Sequence, residues 1–382
     1  MIGRVKSIGK GGVGIIPSEK GIVLVEGVID GELIEYEISG KRKSVLWGKP
    51  VKIIEKSVFR VKPDCPFYDS CGGCNFRHIK YERQSEVKKG IFLNNLKKIG
   101  KYIPDFKIKT ISSPENRYRT RTIFKIENGE IGFYKRGTND IVEINDCLLV
   151  PEIVTEFIKQ LKNSKKIKDI KKGEIIVLTD GDNVSALLRE RGKTNFLTKQ
   201  KEVLFKSSDF QFIFNPLNFI QSNLYMLDKM ISVLEEELEN HKYDIGIDLF
   251  SGVGFFTVLL SRYIKKGLSY EISEENIKAQ KDNLELNSVN NIKVIKKDII
   301  KTGISAADIY LADPPRGGLT NRIIKKLIKN NPKKIIIFSC DSATFSRDLY
   351  YLSEYGYKPI KLKIIDNFPQ TDHFEIFSVF EK

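Results

Sequence analysis

From about residue 225 onward, short apolar runs alternate with segments of helical spacing, a pattern that few folds accommodate. The runs fall at 245–250, 292–295, 309–312 and 334–338, and residues 274–287 show the amphipathic spacing found between them. Strand and helix in strict alternation predict a mostly parallel sheet covered by helices, a Rossmann-like α/β domain. Such sheets bind ligands beyond the carboxyl ends of their strands, so the residues that end each run are the first candidates for a site.

The first run leads into Asp248-Leu249-Phe250-Ser251-Gly252-Val253-Gly254-Phe255-Phe256-Thr257, a strand end, a glycine loop and a helix start. Gly252 and Gly254 let backbone approach a ligand closely and adopt positive φ. A dinucleotide fingerprint would place a third glycine at position 257, where this chain has Thr257, which argues against NAD. With Asp248 closing its strand, the loop is instead similar to that of S-adenosylmethionine methyltransferases. Glu271, near the end of the next strand, would then accept both ribose hydroxyls of the cofactor. Asp298, after the third strand, would lie beside the adenine. Glu271 alone is as readily a surface acid, and only its register with the glycine loop favours the cofactor role.

Asp313-Pro314-Pro315-Arg316-Gly317-Gly318 follows the run at 309–312, and Cys340 occupies the same end of the next run. An Asp at this place can bond a base edge or the cofactor, while the prolines stiffen its loop. A lone cysteine on a strand is more often a small core hydrophobe than a nucleophile. Its position beside Asp313 and the cofactor loop reverses that preference. A thiolate added to C6 of a uracil makes C5 nucleophilic enough to take a sulfonium methyl. A base must then remove the C5 proton so that the thiolate can leave. The C-terminal stretch 366–375 offers Glu375 as that base and His373 as a supporting hydrogen-bonding residue.

The other cysteines form a second group. Cys65, Cys71 and Cys74 lie within ten residues on a Pro/Gly-rich loop, and Cys147 stands apart. Clustered thiols in a chain of this size point to metal rather than to disulfides. Four thiolates at these spacings would suit zinc or an iron–sulfur cluster, zinc being the commoner structural use. The first 57 residues alternate short strands with glycine turns, which suggests a small barrel of the oligonucleotide-binding type. A helix is expected from Tyr81 to about Lys101, a β-meander over 117–150, and a solvated lysine-rich helix face over 159–172.

The formal net charge of +15, from 64 Lys+Arg against 49 Asp+Glu, favours a polyanionic partner such as nucleic acid. No stretch of about 18 apolar residues exists to span a membrane. Met1-Ile2-Gly3-Arg4-Val5-Lys6 lacks the apolar core of a signal peptide, so a cytoplasmic location is expected.

Together these motifs resemble the RNA uracil-C5 methyltransferase family nearly end to end. Gly11-Gly12-Val13-Gly14 and Val28-Ile29-Asp30-Gly31-Glu32 are similar to its TRAM domain, an RNA-binding barrel. The resemblance implies a TRAM domain over 1–57, a central iron–sulfur β domain over 58–210 whose helix 81–101 packs on the catalytic domain, and a methyltransferase domain over 211–382. It implies Cys65, Cys71, Cys74 and Cys147 as ligands of a [4Fe–4S] cluster and Gln221, in Phe219-Ile220-Gln221-Ser222-Asn223, as a cofactor contact. Phe250, Glu271 and Asp313 match other cofactor-binding positions, Cys340 the nucleophile and Glu375 the base. Two positions depart from the pattern: Phe255 replaces a small polar residue, and Asp341-Ser342 follow Cys340 where the family often has Asn-Pro. The presence of all four cluster cysteines and the barrel points to the ribosomal RNA branch, with transfer RNA as the alternative substrate. A monomer is expected. The reading from another class is a non-catalytic RNA-binding or redox-sensing protein.

Overall fold

The computed structural model describes residues 1–382. Strands β1 (Ile2–Arg4), β2 (Ser7–Gly9), β3 (Val13–Ser18), β4 (Gly21–Val25), β5 (Leu33–Arg42) and β6 (Val45–Glu55) form one sheet in the order β1-β5-β6-β4-β3-β2. β1 pairs with β5 and β2 with β3, and only Val5 and Lys6 separate the two strands. One bent stretch of chain therefore supplies both edges, and the sheet curls back on itself. Gly14 makes that curl possible, since a Cβ there would lie 2.3 Å from Val28 Cγ2.

The cysteine loop leads into α1 (Tyr81–Lys98), then β7 (Lys109–Ile111), β8 (Arg121–Glu127), β9 (Glu130–Tyr134) and β10 (Ile141–Glu143). After α2 (Glu152–Lys162) and the short α3 (Lys165–Lys168) come β11 (Lys172–Thr179), β12 (Val184–Glu190) and β13 (Lys193–Phe196). The expected meander is thus only half of a six-stranded sheet, ordered β10-β9-β8-β11-β12-β13. The missed half is explained by its length: the buried stretch of β11, 175–179, is only a few residues long and lies between Lys171-Lys172-Gly173-Glu174 and Asp180-Gly181-Asp182, so it carries little periodic signal.

A hairpin follows, β14 (Val203–Ser207) with β15 (Phe210–Phe214). The catalytic unit then runs α4 (Leu227–Leu238), β16 (Tyr243–Leu249), α5 (Phe255–Ser261), β17 (Ile264–Glu271), α6 (Glu274–Leu286), β18 (Ile292–Lys296), β19 (Ile309–Ala312) and α7 (Thr320–Ile328). It ends with β20 (Lys334–Ser339), α8 (Ser342–Glu354), β21 (Lys358–Ile365) and β22 (Glu375–Glu381). Its eight strands are ordered β18-β17-β16-β19-β20-β22-β21-β7. β16 to β20 are mutually parallel, and β22 enters antiparallel between β20 and β21. The strand order reverses between β16 and β19, which opens a crevice beyond their carboxyl ends. The division expected at 210/211 falls inside the β14–β15 hairpin. Asn287 and Asn283 of α6 accept backbone N–H bonds from Gln211 (3.0 Å) and Ile213 (2.7 Å), so the hairpin belongs with the catalytic unit.

α1 packs against α8 and joins the first sheet to the catalytic core. Phe92 of α1 lies between Phe345 and Phe374, with ring centroids 5.7 and 6.1 Å away. Lys88 on the same helix meets Asp366 at 2.6 Å, both side chains fully buried. Removing one partner would strand a charge in the interior, which costs about 3–5 kcal/mol. Lys88→Met should therefore lower the free energy of chemical unfolding by that amount, and adding Asp366→Asn should restore most of it. No helix is long and apolar enough to cross a membrane.

Candidate active site

The glycine loop begins where β16 ends. Phe250 takes a left-handed φ of 61°, costly for a residue with a side chain, and Gly252 and Gly254 follow at 53° and 86°. A Cβ on Gly254 would lie 2.8 Å from Gln280 Cγ. Asp248 is buried beneath the loop and accepts a hydrogen bond from the Thr257 hydroxyl at 2.5 Å. Thr257 accepts in turn from Gln280 Nε2 at 2.9 Å, and Ser251 Oγ donates to Gln280 Oε1 at 3.3 Å. Burial pushes the Asp248 carboxyl up to about 8. The residue that stands where a dinucleotide loop has its third glycine is thus part of an internal lock.

Glu271 ends β17, and its carboxylate accepts from the Gly252, Ile272 and Ser273 amides, each at 2.8 Å. A carboxylate has about four acceptor positions, so Glu271 ties the loop down while retaining acceptor capacity. Asp298 follows β18, half-buried, and accepts the Ile300 amide at 3.0 Å.

On the other side of the crevice Asp313 follows β19. Gln221 Nε2 donates to its Oδ2 at 3.0 Å. Burial pushes Asp313 up to about 7, and the Gln221 bond works against that rise. Gln221 is held from behind by Thr120, whose hydroxyl donates to the Gln221 carbonyl at 2.8 Å.

The register of β20 and β22 brings the two candidate catalytic residues together. Ser339, the last residue of β20, pairs with Ile376, so Cys340, which follows it, and Glu375, which begins β22, lie at adjoining strand ends. The Cys340 thiol is pushed up to about 12 by burial and then by the charges of Glu375 and Asp313, with Arg316 opposing. Glu375 is pushed up to about 8 by burial and then by Asp313, again with Arg316 opposing. Its Oε2 is buried and has no hydrogen-bond partner, a state normally relieved by a donor from a ligand or water. Arg316 was not singled out from the sequence, although it lies within the Asp313 loop. His373 is exposed, its ring edge-on to Phe368, and no hydrogen bond joins that ring to Glu375.

The cysteine loop lies against the β9–β10 turn, with Cys71 bridging Lys135 and the Gly72 amide donating to the Tyr134 carbonyl at 3.0 Å. Cys147 comes in after β10. The charges of Cys147 and Cys71 act on Cys74, that of Cys65 on Cys71 and that of Cys71 on Cys147, so the four thiols are neighbours. Burial and these neighbours push Cys74 up to about 12, against the pull of Arg77. Arg136 Nη2 donates to the Cys74 carbonyl at 2.8 Å. No group of three or more His, Cys, Asp or Glu side chains is placed to hold a metal ion, so the structure does not bring Cys65, Cys71, Cys74 and Cys147 together as the expected ligand set.

A family model described as tRNA (Uracil-5-)-methyltransferase matches residues 165–302 and 296–382. An uncharacterized RNA methyltransferase of Aquifex aeolicus is 30% identical, with 97% of this chain and 96% of that one covered. The 23S rRNA (uracil(1939)-C(5))-methyltransferase of Marinomonas sp. is 27% identical over 94% of this chain and 90% of its own length. In fold the chain is similar to the crystal structure of Pyrococcus abyssi tRNA (uracil-54, C5)-methyltransferase in complex with S-adenosyl-L-homocysteine. The TM-score is 0.79 at 22% identity, covering 100% of this chain and 99% of that one. The family match runs through the glycine loop, Asp313, Cys340 and Glu375. The chain belongs to the tRNA (uracil-5-)-methyltransferase family and is an S-adenosylmethionine-dependent RNA (uracil-5-)-methyltransferase.

Proposed function

We propose that the chain methylates C5 of a uridine in ribosomal RNA through a covalent adduct between Cys340 and C6, which Glu375 resolves. The observation that carries this reading is the strand register setting Cys340 across from a buried carboxyl with an unpartnered oxygen.

The crevice suits S-adenosylmethionine. Gly252 faces open space where a side chain would intrude, and Phe250, Gly254, Glu271, Asp298, Gln221 and Asp313 surround the same strand ends. When bound there, the cofactor supplies an electrophilic methyl on a sulfonium sulfur. Cys340 adds to C6 as its thiolate, and the C5–C6 double bond opens to leave an electron pair at C5. That pair takes the methyl, and the sulfur of the donor keeps the electrons of the broken bond. Glu375 then removes the remaining C5 proton, the double bond re-forms and the Cys340 sulfur departs. Burial of Glu375 matches this step, since a raised carboxyl is a stronger base than an exposed one once ionised. The target base must leave its stack to reach Cys340.

Residues 1–57 are read as the TRAM barrel and the basic surface as the phosphate-holding face. The four thiols are read as ligands of a [4Fe–4S] cluster that staples the central domain, their donor chemistry fitting iron–sulfur ligation and Arg77 and Arg136 offsetting its negative charge. Purified protein should be brown, with visible absorbance and about four irons per chain. Colourless protein with one zinc per chain would refute the cluster.

The ribosomal substrate rests on the likeness to the Marinomonas enzyme and on the presence of all four cysteines together with the barrel. Transfer RNA is the second reading, favoured by the end-to-end fold likeness to the Pyrococcus abyssi enzyme. Ribosomal and transfer RNA from cells lacking the enzyme should be incubated with it and labelled cofactor, and the methylated uridine mapped. Label confined to transfer RNA would overturn the ribosomal reading.

A further inference from the structure

The loop of residues 366–374 that leads into Glu375, the first residue of β22, is held mostly by the first third of the chain, with Asn223 and Gln221 adding bonds to Asn367. Lys88 binds Asp366 and the Phe368 carbonyl, and Tyr118 Oη donates to the Pro369 carbonyl at 3.0 Å. Gln84 and Gln370 exchange two bonds of 3.0 Å, with Gln370 held at a φ of 67°. The last ties come from the residues just after Cys74. The Asn75 and Phe76 amides donate to the Gln370 carbonyl at 3.1 and 3.0 Å.

Asn75 and Asp372 then bond reciprocally. Asn75 Nδ2 donates to Asp372 Oδ1 at 2.8 Å, and the Asp372 amide donates to Asn75 Oδ1 at 2.9 Å. The second Asp372 oxygen accepts the Gly11 amide at 2.6 Å, and Asn75 Nδ2 also reaches the Gly11 carbonyl at 3.0 Å. Three segments distant in sequence meet at one side-chain pair: the turn between β2 and β3, the thiol loop, and the loop three residues before Glu375.

We propose that Asn75 and Asp372 are a positioning pair through which the thiol loop sets Glu375 for the proton-removal step. The inference rests on the reading of Glu375 as the base. Neither side chain reaches the reacting atoms, so both act through loop geometry. A base displaced by about 1 Å can lose on the order of 10²-fold in rate. Attack by Cys340 is less exposed to this effect, because Cys340 follows β20 and none of these bonds reaches it.

The test follows a stalled adduct. Asn75→Asp sets two carboxylates against each other, and Asn75→Ala is a milder break should the first not fold. Either variant should accumulate the covalent RNA–protein adduct on denaturing gels at steady state, with turnover lowered roughly 10–100-fold. The reciprocal variant Asn75→Asp with Asp372→Asn re-forms both mutual bonds, though not the one from Asn75 to the Gly11 carbonyl, and should lower the accumulated adduct well below that of Asn75→Asp alone. Equal slowing of adduct formation and breakdown, or no rescue by the reciprocal exchange, would overturn the pair. Glu375→Gln serves as the control: if it traps no adduct, the reading of the base fails, whereas an adduct there without one in the Asn75 variants sinks the pair alone.

Discussion

Methyl transfer by Cys340→Ala is expected to fall by on the order of 10⁴-fold or more, to background, while RNA binding stays within about twofold. The size of the loss follows from the chemistry. Without a sulfur at C6, C5 of uracil remains too electron-poor to displace the cofactor's methyl. Binding survives because the substitution removes one small, half-buried side chain and leaves the basic surface intact. Filter binding and methyl incorporation measured on the same preparation check both halves. Turnover above about one part in a hundred of the parent would rule out the covalent route.

Glu375→Gln should split the reaction differently. The amide cannot take the C5 proton, so methylation proceeds once and the enzyme stalls as a 5-methylated adduct visible as a shifted band. Product release should drop by about 10²–10⁴-fold, the usual contribution of a positioned general base. In the parent, release should rise with pH through about 8 as Glu375 ionises, and the variant should lose that limb. Stability should move oppositely. The folded carboxyl, at about 8, holds a proton that the unfolded chain releases near its ordinary value of 4.5. Folding stability therefore falls as pH rises between those values, and the full penalty is present above them. Glu375→Gln removes that penalty, so its melting temperature should exceed the parent's at pH 8–9 and match it below about pH 4. A variant less stable than the parent at pH 9 would contradict the burial of an unpaired acid.

Much of the site was legible because it lies at strand ends that the apolar runs announce. Gly252, Gly254 and Asp313 follow such runs directly, Glu271 closes the mixed stretch Leu268-Ser269-Tyr270, and the alternation places them on one edge of a parallel sheet. Glu375 is a different case. Its stretch was singled out by its acids and imidazole, but what sets it opposite Cys340 is the antiparallel insertion of β22, which no local pattern encodes. His373 shows the converse, a residue chosen for its chemistry whose ring turns outward against Phe368. Residues 172–196 went unread because their apolar runs are short and set between charged, glycine-containing turns, and periodicity fails where a strand's buried stretch is only a few residues long.

By itself the sequence determined the chemistry available to this protein: a glycine loop without a third glycine, one cysteine apart from four others, and acids at the ends of apolar runs. Those properties are local, since turn conformations and side-chain reactivity belong to the residues that carry them. Tertiary structure decided which groups act on one another. Asp248 and Thr257 became a lock beneath the loop, Cys340 and Glu375 became neighbours, and Asn75, next to Cys74, took hold of the loop that leads into Glu375. Each of those relations joins segments whose encounter is set by the order in which strands enter a sheet, and strand order depends on the burial of the whole chain rather than on any window within it.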